Sequence, residues 1–165
     1  MRFLYVREEQ LAGKTVTFDD EQVHRLRKVL RMQAGDQLLL RSRTTGRPVS
    51  VVIRRLDKRT GLAEQSQTAV PELRAPRCRL HLAAALLKQR RLELVFQKCT
   101  ELGVATLHPL VTTNVVARDL SSNEFRRLGD ITEEACQQCG RPLPPPIAAV
   151  TEFEQFVSEW HARQV

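Results

Sequence analysis

At 165 residues the chain has room for one ordinary domain or two small ones, and 42% hydrophobic with 27% charged residues describes a soluble chain with a real core. No apolar run approaches the roughly 20 residues of a membrane span, and the start, MRFLYVREEQ, has too short an apolar run and too much flanking charge for a signal peptide, so a cytoplasmic location is expected. The net charge of +7 is confined to the front, with 14 Lys/Arg against 7 Asp/Glu over residues 1–60 and 12 against 12 over residues 61–165; this is the footprint of a polyanion partner, nucleic acid above all, and 5% aromatic residues argue against a platform that holds single strands by ring stacking alone.

The first seventy residues mix short strands with one helix. In FDDEQVHRLRKVLR, Asp19 and Asp20 are N-cap candidates ahead of an apolar series Val23, Leu26, Val29, Leu30. His24, Arg27, Lys28 and Arg31 fall at i, i+3, i+4 and i+7, which predicts a cationic stripe along that helix. Arg27, Lys28 and Arg31 are therefore expected to contact nucleic-acid phosphates. His24 reads either as a further contact or as a cap on the junction between the two halves. Gly35–Asp36 predicts a turn, residues 38–41 a strand, residues 44–48 a hairpin loop and residues 49–53 a β-branched strand, with another strand in GLAEQSQTAV. Arg41, Arg43 and Arg47 line this strand and hairpin and are expected to extend the same basic patch. A small barrel-like β domain over residues 1–70 is the simplest architecture.

PELRAPR, residues 71–77, has two prolines and no apolar periodicity, and reads as a linker. Beyond it, over residues 78–165, the pattern becomes strand-helix-strand-helix-strand-helix, the grammar of a parallel sheet. CRLHLAAALL suits a buried parallel strand. The next helix places Leu92, Val95, Phe96, Cys99 and Leu102 on one face and stops at Gly103. VATLHPLVT is the second strand. A helix ending at Gly140 carries an apolar stripe of Phe125, Leu128, Ile131, Ala135 and Cys139. PPPIAAV predicts the third strand, and a last helix is capped by Thr151 with Phe153, Phe156, Val157 and Trp160 inward.

Cys136 and Cys139 are spaced C-x-x-C, but Cys78 and Cys99 stand alone, and the pair sits at the end of a helix rather than its start. Cys139 is expected in the core and Cys136 beside it, with no metal site. The seven glycines include no G-x-G, so neither a P-loop nor a dinucleotide fingerprint is present. Lys98 and Glu101 read either as a solvated i, i+3 ion pair or as functional groups. Glu134 and Gln138 share a face opposite the apolar stripe, and Arg141 follows the helix end.

Three strings in order, HRLRKVLRMQAGD (residues 24–36), KQRRLELVFQKCTELGVATLHPL (residues 88–110) and EEACQQCGRPLPPPI (residues 133–147), resemble the signatures of RsmE-type ribosomal RNA methyltransferases. The resemblance implies a PUA-like RNA-binding domain followed by a SPOUT-class α/β domain. It also implies S-adenosylmethionine as cofactor, N3 of a uridine in small-subunit ribosomal RNA as target, the assembled small subunit as an alternative substrate form, and a homodimer in the complete protein. The glycine-rich loop and the later segment that form the family's trefoil knot and cradle its cofactor have no counterpart here. The cofactor-binding residues are accordingly unassigned, and the chain alone is expected to bind the cofactor weakly and to be inactive. On this resemblance Arg141 becomes the candidate phosphate or imidate stabiliser, with Lys98, Glu101, Glu134 and Gln138 lining the site. The competing classes are a non-catalytic RNA-binding module, and a zinc module built on Cys136 and Cys139.

Overall fold

The computed structural model describes residues 3–70, 78–115 and 117–162; the linker expected over residues 71–77 lies outside the described residues. The chain divides into two compact units, Met1–Arg74 and Ala75–Val165.

The first unit is a curled five-stranded sheet built from β1 (Phe3–Val6), β2 (Thr15–Phe18), β3 (Gln37–Ser42), β4 (Pro48–Leu56) and β5 (Gly61–Gln65), in the order β1-β3-β4-β5-β2. β1 runs parallel to β3 and the other pairings are antiparallel, with a register shift between Ile53 and Arg55 in β4. Its core gathers Leu4, Val6, Leu11, Val16, Phe18, Val23, Leu26, Leu38, Leu40, Val51 and Ala63. Gly61 opens β5 at a close approach: a Cβ there would lie 2.9 Å from Leu56 Cδ1 and 3.0 Å from Phe18 Cδ2. Gly61→Val should therefore overpack this corner and cost about 1–3 kcal/mol in chemical denaturation.

The helix between β2 and β3 is shorter than the apolar spacing predicts. Asp19 caps α1 (Asp20–His24), accepting from Gln22 N at 2.9 Å, while Gln22 Oε1 accepts from Asp19 N at 3.1 Å. The backbone then widens into a π-helical turn, Arg25–Val29, closed by a hydrogen bond from Leu30 N to Arg25 O at 2.9 Å. Arg31 follows with φ 55°, a left-handed conformation unusual for a side chain of its size.

The second unit is a three-stranded parallel sheet, β6 (His81–Ala85), β7 (Thr106–Val111) and β8 (Thr151–Glu152), in that order. Alternation along the strands separates its faces. Leu82 and Leu107 join α2 (Gln89–Glu101) and α3 (Ser122–Cys139) in a core with Leu86, Leu92, Phe96, Val104, Val111 and Leu128. His81 and His108 lie on the other face, Nδ1 to Nε2 at 3.3 Å, against Phe156 and Trp160 of α4 (Phe153–Ala162).

Several expectations are corrected here. The first strand is half-buried rather than fully buried, since Ala83 is exposed and Leu80 and Leu87 beyond its ends are exposed as well. Leu102, expected inward, is 82% exposed because it caps the end of α2, where Gly103 turns the chain away. The third strand is not the proline-rich stretch. Ile147 makes only an isolated bridge to Leu107, and the strand proper forms at Thr151–Glu152, so Thr151 pairs with Leu110 instead of capping a helix. Three successive prolines without N–H donors explain the shift. Phe153 is 47% exposed, while Phe156, Val157 and Trp160 are half-buried.

Ser121 and Glu124 form a capping box at the start of α3, and Gly140 ends it at φ 87°, where any other residue would be strained. The buried face of α3 is Leu128, Thr132, Ala135 and Cys136, at i, i+4, i+7 and i+8. Cys139 is exposed and Cys136 is in the core, the reverse of the expectation. Thr132 tolerates burial because its hydroxyl donates to Gly129 O at 2.8 Å. A maleimide reagent should therefore label Cys78 and Cys139 in the folded protein, Cys99 slowly because burial raises its thiol pKa, and Cys136 only on unfolding. Peptide mapping that found Cys136 labelled before Cys139 would reverse the helix face again.

Candidate functional site

The sequence-predicted cations of the first unit divide into three groups. Arg27, Lys28 and Arg31 are exposed, and none makes an ion pair with another described residue. Arg27 Nη1 donates to the backbone carbonyl of Asp57 at 3.0 Å, which orients the guanidinium without neutralising it. The Asp57 carboxylate is held by Arg55 Nε at 2.9 Å. His24 is exposed at the end of α1. The π turn breaks the expected stripe, and Arg31 lies beyond it on non-helical backbone.

Arg47 and Arg43 are exposed at the β3–β4 hairpin, but Arg47 is partly spent on Glu8, Nε to Oε1 at 3.2 Å, and on Leu11 O at 3.3 Å. Arg41 does not extend the surface. It is 5% exposed, donates from Nη1 to Gly46 O at 3.1 Å and packs its guanidinium 5.3 Å from the Phe3 ring centroid. Burial lowers its pKa below the usual arginine value. Both faces of β3 are covered here: Arg41 belongs to a stretch, Leu38–Ser42, with no exposed position, so alternation does not bring it to the surface.

In the second unit the sequence-predicted residues gather at one end. The sheet is parallel, so the C-terminal ends of α2 and α3 lie beside the N-terminal ends of β6 and β7. Lys98 Nζ contacts Glu101 Oε1 and Oε2 at 3.0 and 2.9 Å, the i, i+3 ion pair of the simpler reading. Arg141 is half-buried and its Nη1 donates to Thr100 O at 3.4 Å, tying the segment after α3 to the end of α2. Glu134 and Gln138 are exposed on α3.

At the opposite end, where the strands' carboxyl termini face outward, is a cleft of about 640 Å³ that no motif announced. Its wall runs along Ala85, Leu86, Leu87 and Lys88 into the first turns of α2, and returns through Thr112, Asn114, Leu120 and the start of α3. Two carboxylates line it, and both are committed. Glu93 holds Arg127, Oε1 to Nε at 2.5 Å, and raises its pKa. Glu124 accepts from Ser121 N at 2.9 Å and Ser121 Oγ at 2.6 Å, which lower its pKa below the usual carboxylate range. Among the described residues no group of three or more His, Cys, Asp or Glu side chains could hold a metal, and no helix is long and apolar enough to cross a membrane.

A family model described as an RNA methyltransferase domain matches residues 74–165. A ribosomal RNA small subunit methyltransferase E of Synechocystis sp. is 34% identical over 157 residues, covering 94% of this chain and 50% of its own length. The protein of the same name from Buchnera aphidicola is 27% identical over 147 residues, covering 87% of this chain and 57% of its own. The chain thus spans about half the length of the curated relatives it matches. A methyltransferase of Legionella pneumophila, solved in complex with the cofactor SAM, aligns with TM-score 0.77 and 29% identity over 96% of this chain and 67% of that one. A ribosomal RNA small subunit methyltransferase E of Neisseria gonorrhoeae bound to S-adenosyl methionine aligns with TM-score 0.75 and 23% identity, over 94% and 64% of the two chains, a likeness of fold.

Proposed function

This chain belongs to the RNA methyltransferase family, whose domain it carries over residues 74–165, and from that premise we propose that it serves the S-adenosylmethionine-dependent methylation of N3 of a uridine in small-subunit (16S) ribosomal RNA. The family match carries this reading, and the names of the curated relatives support the substrate class. In it, residues 1–70 are a PUA-like RNA-binding domain and residues 78–165 belong to a SPOUT-type domain. The substrate is free rRNA or the assembled small subunit, and the complete protein is a homodimer.

Uridine N3–H is a weak acid, so the reaction requires removal of its proton or stabilisation of the imidate charge that develops as the N3–methyl bond forms. S-adenosylmethionine, when bound, supplies an electrophilic methyl group. The cleft at the strand ends does not fit that cofactor. Its two carboxylates are already occupied by Arg127 and Ser121, Lys88 and Arg91 line it against a sulfonium cation, and none of its lining residues is a glycine that lets backbone approach a nucleoside. The 165-residue chain is therefore expected neither to bind the cofactor stoichiometrically nor to turn over. Calorimetry that finds a one-to-one complex with S-adenosylmethionine contradicts this.

What these residues do is bind and position. Arg27, Lys28 and Arg31 hold phosphates and set register. Arg141 lies at the end of the sheet away from the cleft and bonds Thr100, which supports a positioning role for it over direct contact with the imidate. Lys98, Glu101, Glu134 and Gln138 form the surface around it.

The reading is tested by nucleoside mass spectrometry of small-subunit rRNA from cells with and without the gene. Loss of one N3-methyluridine on disruption is the expected result, these 165 residues serving the reaction in the cell together with groups that complete the cofactor site they do not form by themselves. An unchanged nucleoside profile contradicts it and favours the second reading, a non-catalytic RNA-binding module, which the committed carboxylates of the cleft also suit.

A further inference from the structure

Beside the uncompensated cations of the first unit lies a concavity of about 360 Å³, lined by Arg27, Arg31, Met32, Gln33, Ala34 and Leu56. We propose that it receives one unstacked nucleobase of a single-stranded RNA while Arg27 and Arg31 hold the flanking phosphates. The inference rests on the RNA-binding reading above and adds to it a base-recognising site.

The lining has the chemistry of such a site. Met32, Ala34 and Leu56 offer apolar surface to a base plane, and a guanidinium stacks on a base as well as pairing with phosphate. Gln33 brings an amide with both donor and acceptor to meet a base edge. No aromatic ring lines the hollow, so stacking falls to arginine and alkyl groups.

The backbone shows that the place is specially built. The π turn Arg25–Val29 and the left-handed Arg31 adjoin each other, and Met32 N reaches back to Leu26 O at 2.9 Å. Two independent departures from regular backbone within seven residues put Arg31 and Met32 on the rim of this hollow and of a neighbouring one of about 350 Å³. Such departures persist where the surrounding structure enforces them and cluster at binding sites.

The acidic groups nearby are engaged. Asp36 lines the neighbouring hollow and accepts from Gln33 N through Oδ2 at 2.8 Å, and Asp57 is held by Arg55. Asp36 keeps its charge, but the concavity itself is lined by Arg27 and Arg31 and by no carboxylate, which suits the phosphates on either side of the base.

The experiment compares binding of a short oligouridine with binding of an abasic ribophosphate oligomer of equal length, which presents the same phosphates without bases. The parent chain is expected to prefer the oligouridine by about tenfold, the difference expected of one good base contact. Ala34→Leu fills the hollow without changing charge or adding a ring on which a base could stack, and should erase the preference while leaving abasic binding intact. Gln33→Leu, which keeps every cation and perturbs the fold least, should reduce it. Equal affinity of the parent for the two oligomers, or a preference that survives Ala34→Leu in a folded variant, overturns the base site and leaves phosphate binding standing. Binding to neither oligomer by the parent overturns the RNA reading itself.

Discussion

Replacing Arg27, Lys28 and Arg31 together with glutamate lowers affinity for small-subunit rRNA fragments about a hundredfold or more at moderate ionic strength. It also flattens the dependence of log K on log salt by roughly three. The reasoning is electrostatic. These side chains are exposed and make no ion pair among the described residues, so their charge is free to displace counterions from phosphates. Reversal adds repulsion to the lost attraction. The fold should survive, since the one side-chain bond surrendered among the described residues is that of Arg27 to Asp57 O, and exposed substitutions of this kind cost within about 0.5 kcal/mol each. A parallel reversal of Arg43 and Arg47 should do less, because Arg47 already serves Glu8 and Leu11. Retained affinity in the triple variant would place the RNA elsewhere on the molecule.

Phe96→Ala produces the largest loss of stability expected from one substitution. Phe96 is fully buried on the face of α2 that meets Leu86, Leu92, Val104, Leu107, Val111 and Leu128, where the sheet and both helices converge. Removing the ring leaves a cavity that helices anchored at both ends close only in part, and such truncations cost about 3–5 kcal/mol. Thr100 Oγ1 donates to Phe96 O at 2.7 Å, so the backbone there is held in place and relaxation is limited further. Urea denaturation reads the effect directly. A change below about 1 kcal/mol would mean the site repacks freely, against the close packing found in protein interiors.

Much of this architecture was legible in the chain. The apolar spacing located α2 and α3, Gly103 and Gly140 marked their ends, and the switch from β-branched alternation to strand-helix repeats separated the two kinds of sheet. The misses share one cause: a hydrophobic pattern does not specify how a backbone departs from ideal geometry or how a polar group is satisfied. His24, Arg27, Lys28 and Arg31 have α-helical spacing, but the backbone widens into a π turn after His24, with Leu26 buried in the core. The face of α3 was misread because Thr132, polar on paper, is self-satisfied and buried, whereas Cys139 looks apolar and is exposed. Arg41 looked like a surface cation because its charge hides the run of covered positions around it.

The functional picture divides the same way. The basic excess over residues 1–60 pointed to nucleic acid, and Arg27, Lys28 and Arg31 are among its exposed cations that make no ion pair with another described residue. The cleft at the strand ends could not be read from sequence, since it is assembled from two separate stretches, residues 85–93 and 112–128, with no shared motif. Arg141 and the Lys98–Glu101 pair were visible as oddly placed charges, but only coordinates show them at the end of the sheet away from that cleft.

The account stands on the claim that the first unit grips RNA through phosphate contacts. Measuring the affinity of the unmodified chain for a small-subunit rRNA fragment across a salt series tests this most directly. With three phosphate contacts the slope of log K against log salt should be roughly −2 to −3. A slope near zero, or no measurable complex at low salt, would contradict it.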